Sequence, residues 1–282
     1  MNLEGGDRPK LRYFEAYPVT VQGTRTVCLR DPLQVMEGDV LIPTELVPFL
    51  EMLDGRHSLR DIQLELTRQS GHMVFMDQIQ AVLGQLDEAY LLESERFIEA
   101  YRQKLAAYRA SPFRPCSHMG ACYSEDADTL RQELESYFTS DGGPGMPRFF
   151  SDPRRPQGLI APHIDIRAGG KSFAQAYHHL ASGQPSDIYV ILGTGHKGVR
   201  GLFTATNLDF QTPLGIARTD RDFLASLESH LGKDPAAEEL LHAAEHVIEF
   251  QVLFLQFMLS GRHDFTIVPV LCSLSHHFFT DD

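Results

Sequence analysis

The 282 residues carry 25 Lys and Arg against 38 Asp and Glu, a net charge of −13 with histidine neutral. At about 100–200 residues per domain this length fits two domains. A hydrophobic share of 43% and a charged share of 22% exclude a disordered chain, a collagen-like fibre and a small disulfide scaffold. The acidic balance argues against nucleic acid as a partner, which needs a basic footprint. No apolar run reaches the ~18 residues of a membrane span, and Met1–Arg8 has no apolar signal-peptide core. A soluble, cytoplasmic protein is expected.

In chain order, Val19–Val21 and Val27–Leu29 read as short strands split by a turn at Gly23. A helix is expected from Pro43, with Leu46, Phe49, Leu50 and Leu53 at 3–4 spacing, stopping at Gly55. Ser58 caps a second helix carrying Leu59, Ile62 and Leu66. A third carries Ile79, Val82, Leu83, Leu86 and Tyr90. Helices with β edges suggest a small winged-helix or PqqD-like module over 1–110. A helix follows over 96–109. The Pro-punctuated Ser111–Pro115 reads as a linker. A second domain is expected over 111–282. It opens on a helix carrying Leu130, Leu134 and Phe138, before the loop Asp141–Pro147.

From 157 the pattern alternates. Gly158–Ala161 reads as a strand and 171–181 as a helix. Asp187–Leu192 is a continuous apolar run, the mark of a strand buried on both faces. Residues 220–231 and 236–260 read as helices, and Phe265–Leu271 as a third strand. This predicts an α/β domain with a mainly parallel sheet. Such sheets bind ligands beyond the carboxyl ends of their strands. There the sequence puts His163 with Asp165, and Thr194-Gly195-His196. Ten of the 13 histidines lie at or after His163, and neutral imidazole is the commonest protein ligand for transition metals. His163 and His196 are therefore candidate metal ligands, expected close together. The stretch His242-Ala243-Ala244-Glu245-His246 also fits the inverted zincin pattern H-x-x-E-H. Against that reading, His246 is expected to face the other histidines and His242 to turn away. Four cysteines are too few for a disulfide framework. Cys28 and Cys272 read as core residues. Cys116 and Cys122 flank His118 and read as free thiols in a linker, although a zinc or redox cluster is permitted.

The runs Ala161-Pro162-His163, Ile191–His196, Gln211–Gly215, Glu245–Gln251 and Ile267–Leu271 occur in an order that resembles Memo-like proteins. Gly120-Ala121-Cys122-Tyr123 resembles the start of the same domain. In bacteria such proteins are called AmmeMemoRadiSam system protein B. The resemblance covers roughly 114–282. It implies the fold of class III extradiol dioxygenases, with iron (Fe2+) or copper on His163 and His196. It also implies His246 as the acid–base residue and Asp165, Thr194 and Gly195 on the substrate side. Redox activity on an unidentified small molecule is expected. The alternative is a non-catalytic adaptor for a radical-SAM or AMMECR-like partner, and a zinc hydrolase using His242 and His246 ranks below both. The resemblance further implies that the domain is incomplete at its C-terminus, with a further ligand expected beyond Asp282. The closing His276-His277 reads as a solvated tail.

Overall fold

The computed structural model describes residues 4–196, 199 and 201–273. The chain divides into two compact units, 1–107 and 108–282. In the first, β1 (Glu15–Val21), β2 (Thr24–Arg30) and β3 (Asp39–Pro43) form an antiparallel sheet in that order. The helix expected from Pro43 is instead a 3-10 turn, Thr44–Leu46, running into a five-residue α1 (Val47–Glu51). α2 (Leu59–Ser70) starts at Ser58 through a reciprocal capping box, in which Ser58 and Asp61 bond each other's backbone N–H. α3 (Met76–Glu88) and α4 (Glu95–Ala110) follow. Leu53, Leu59, Ile62, Leu83, Leu91 and Leu92 are at most 2% exposed and form the centre of this unit's core.

In the second unit, the segment read as a linker is part of the fold. β4 (Phe113–Arg114) pairs in parallel with β7 (Asp209–Thr212). Arg114 is fully buried because its guanidinium has buried acceptors to bond, described below. α5 (Ala127–Thr139) and α6 (Ile166–Ser182) precede β5 (Ile188–Thr194). The short strands β6 (Phe203–Ala205), β7 and β8 (Gly215–Thr219) were not foreseen; α7 (Arg221–Leu231), α8 (Val247–Leu259) and β9 (Thr266–Cys272) complete the unit. The sheet order is β4-β7-β8-β9-β5, with β6 beside the end of β9. β5, β9 and β8 run parallel, while β7 runs against β8 and β6 against β9. The fold is thus mixed α/β with a mainly parallel sheet.

Two more expected elements differ, both in the second unit. Gly158–Ala161 forms no strand: Leu159 and Ile160 are 37% and 99% exposed. An apolar run becomes a strand only when a neighbour takes its backbone bonds, and β5 pairs with β9 instead. The helix expected over 236–260 is broken. Glu239–Ala244 is a 3-10 turn, Glu245 is extended, and α8 begins after it. The break frees carbonyls of His242 and Glu245, and buried Arg114 bonds both, at 2.9 and 2.6 Å. The Glu245 carboxylate in turn accepts the His246 N–H at 2.9 Å, supplying a cap to α8.

β9 carries Pro269 opposite Ile191, although proline lacks a ladder donor. On the other side of β9, β8 pairs as far as Ile267 and β6 from Val270. Pro269 falls in the gap between them. Every residue of α8 except Phe257 is buried, so this helix is the core axis of the unit. Phe254 stacks on Phe173 and Tyr177 with ring centroids 4.9 and 5.2 Å apart.

Candidate metal centre

His163, His196 and His246 meet where β5 ends and α8 begins. The His163 and His196 ring centroids are 5.3 Å apart, and those of His196 and His246 are 5.2 Å apart and stacked. Although 158–161 makes no strand, its end is anchored by side chains. Gln251 Nε2 donates to Pro162 O at 2.8 Å, and His246 Nε2 lies 2.9 Å from His163 O. Gln251 is itself held by the Tyr177 hydroxyl at 2.8 Å. His196 follows Thr194, which pairs with Cys272, and Gly195, whose N–H donates to Cys272 O at 2.8 Å. A Cβ on Gly195 would lie 2.6 Å from Val199 Cγ2, so only glycine lets the turn pass this close.

Glu245 organises the cluster. Its Oε1 lies 3.2 Å from His196 Nδ1 and 3.0 Å from His246 Nδ1, and its Oε2 accepts the His196 backbone N–H at 3.0 Å. Burial works to raise its pKa, but the hydrogen bonds from His246 and His196 win and bring it down to about 2. The bond to Glu245 raises the pKa of His246 against the effect of burial, with help from the His163 carbonyl. Among the described residues, the metal-type donors that converge within 4.8 Å are those of His196, Glu245 and His246.

A fourth histidine extends the row. The His118 ring lies 5.4 Å from His246 and 5.8 Å from Phe250. Its segment is locked to α8 by fully buried Glu249, which accepts the N–H groups of Ser117 and His118 at 2.9 and 3.0 Å. The Tyr123 hydroxyl and the Arg114 guanidinium bond the same carboxylate. Burial tends to raise the pKa of Glu249, but His118, Arg114 and Tyr123 hold it far below the ordinary carboxylate range.

The remaining candidates are placed as follows. His242 is 1% exposed, with Nε2 3.2 Å from Thr204 O, so it shares no helix face with His246 and the zincin geometry is absent. Asp165 caps α6 by accepting the Arg167 N–H at 2.8 Å and pairs with the Arg167 side chain at 2.6 Å. Thr194 and His163 line a cavity of about 420 Å³ beside β5 that also touches Ala161, Tyr177 and Gln251. All four cysteines are free thiols. Cys28 is buried, whereas Cys272 is only half-buried at the end of β9. The Cys116 thiol lies 3.0 Å from Gln211 O. His276-His277 lies outside the described residues.

Residues 114–280 match the model of the family described as Memo-like protein. The chain belongs to the Memo-like family. It is 27% identical over 266 residues to a MEMO1 family protein of Aquifex aeolicus, covering 94% of this chain and 66% of that relative. A MEMO1 family protein of Methanothermobacter thermautotrophicus is 32% identical over 56% of each chain. One of Methanopyrus kandleri is 34% identical over 57% of this chain and 56% of its own length. This Memo-like chain therefore spans from just over half to about two thirds of the length of these relatives. No described helix is long and apolar enough to cross a membrane.

Sequence reasoning named His163, His196 and His246 as site residues for this Memo-like domain. It groups His118 with Cys116 and Cys122 and not with this row, and it gives no role to Glu249 or to the bonds that Glu245 makes. One signal was present: Glu249 interrupts the run Val247–Leu255, and an acid inside an apolar helix needs buried partners.

Proposed function

We propose that this Memo-like chain binds iron(II) or copper through His163 and His196, with His246 as the acid–base residue of a redox reaction on a small molecule. The observation that carries the reading is the 5.3 Å between the His163 and His196 rings. With metal–nitrogen bonds of about 2.0–2.1 Å, the ring centres of two neighbouring imidazole ligands lie about 4.5–5 Å apart, close to the separation of this pair. Bound there, the ion supplies a Lewis acid with open positions for substrate and oxidant. His246 has both ring nitrogens beside acceptors, Glu245 and the His163 carbonyl, so it keeps its proton to higher pH than free imidazole. In this reading it enters the reaction as a proton donor and is reset as a base. The 420 Å³ cavity beside His163 and Thr194 is of a size that takes a small molecule. The N-terminal unit is read as a PqqD-like module.

The test is elemental analysis of the purified chain together with calorimetric titration of iron(II) and copper, wild type beside His163→Ala. The reading expects about one ion per wild-type chain and at least tenfold weaker binding in the variant. A wild type that holds no ion at any concentration tried would overturn it and leave the adaptor for a radical-SAM partner as the better account.

A further inference from the structure

Glu245 has a side chain only 1% exposed, and its ion pairs among the described residues are with His196 and His246. What surrounds its carboxylate is a set of N–H groups. Oε2 takes the His196 backbone N–H; Oε1 takes that of His246 and faces both Nδ1 atoms. An ionised carboxylate only accepts hydrogen bonds. Each ring nitrogen facing it must therefore carry hydrogen. For neutral His196 that selects the Nδ1–H tautomer and leaves the lone pair on Nε2, the atom open to a metal. The three donors that converge here are close because they are bonded to one another. The backbone N–H groups already on both oxygens leave a cation little of the carboxylate to take.

We infer that Glu245 is a positioning residue: it holds His196 as the Nδ1–H tautomer, so that Nε2 is the metal-binding nitrogen, and it pins the turn that carries the ring. Carboxylate–histidine–metal arrangements work this way, and loss of the outer carboxylate typically costs about 10–100-fold in metal affinity. The metal role of Nε2 rests on the proposed function, whereas the tautomer is a property of the metal-free chain.

The experiment uses the full chain labelled with ¹⁵N-histidine. Long-range ¹H–¹⁵N spectra of metal-free protein at pH 8 read the His196 tautomer in wild type, Glu245→Ala and Glu245→Gln. Titration with zinc(II) and iron(II) reads affinity in the same three. Wild type should show Nδ1–H. Glu245→Ala should shift His196 toward Nε2–H and bind about 10–100-fold more weakly. Glu245→Gln keeps an acceptor oxygen for the two Nδ1 atoms, so it should retain the Nδ1–H tautomer, while its NH2 against the His196 backbone N–H costs part of the affinity. An unchanged tautomer in Glu245→Ala overturns the inference. So does a Gln variant whose His196 shifts toward Nε2–H as it does in Ala. Should Ala fail to fold, the Gln variant alone decides, since the inference requires it to keep Nδ1–H. A tautomer that responds as stated in a chain binding no ion would sink the proposed function and leave the positioning role standing.

Discussion

His242 and Glu249 are polar groups inside the second unit, and burial acts on them in opposite ways. Glu249 stays charged because buried Arg114 and several other donors surround it. At the His242 ring the opposing charges of Arg114 and Glu245 count for less than burial, and Nδ1 lacks a hydrogen-bond partner among the described residues. Burial therefore keeps it neutral and brings its pKa down to about 3. The unfolded chain takes up a proton on this residue near pH 6.5, but the folded chain does so only near pH 3. Between those values the unfolded state binds more protons, so stability falls as pH falls. The loss from this group is up to about 1.4 kcal/mol per pH unit. It is absent well above pH 6.5 and complete below about pH 3. His242→Gln, which can still donate to Thr204 O, should flatten that slope. Urea midpoints at pH 7 and pH 5 would show it, and an equal drop in both proteins would refute it.

At the level of elements, α8 decides most. The sequence reads as an amphipathic helix through 236–260, whereas the structure buries α8 almost all round, against α6, α5 and the sheet. Phe254 is fully buried against Phe173, Tyr177 and Phe138. Phe254→Ala should cost about 3–5 kcal/mol, the usual range for emptying a packed aromatic site. The expected signature is a lower urea midpoint for the second unit with an unchanged denaturant slope. The start of α8 is a different matter. Periodicity continues smoothly through 236–260, so nothing local announces the break at Glu245. It depends on Arg114 reaching the carbonyls of His242 and Glu245 from more than a hundred residues away.

For the whole molecule, the edge of the second sheet matters most. The run expected to be buried on both faces is an edge strand: among the described residues β5 pairs only with β9, and Ile188, Val190 and Leu192 are 42%, 49% and 70% exposed. An open strand with apolar side chains invites pairing with another chain. The 282-residue chain should therefore self-associate as its concentration rises. Leu192→Lys should reduce this, since an edge lysine opposes strand addition. Light scattering over a concentration series tests it; a wild type that stays monomeric throughout would contradict it.

Local signals were enough for much of this architecture. The Ser58 cap and the apolar spacing of α2, α3 and α5 are short-range features, as are the continuous apolar runs of β5 and β9, so they are legible residue by residue. The placing of His196 also follows from the sequence, because it lies just past the apolar run of β5; His163 was expected at the end of a strand that does not form, and Gln251 and His246 hold its segment instead. Other features exist only through pairing across the chain. Gly158–Ala161 has strand composition but no strand, because no neighbour takes its backbone bonds. Ser111–Pro115 looks like a linker, yet Arg114 is buried because Glu249 and two carbonyls of the α8 turn receive it. His118 joins the histidine row because Glu249, 131 positions later, bonds its N–H. Glu245 reads in sequence as half of a zinc motif; its position between His196 and His246 comes from folding. The sequence alone determined which segments are apolar, periodic or capped, since those preferences act within a few residues. Only the tertiary structure decided which charges are buried and which nitrogens face a carboxylate, because those depend on partners that folding brings together.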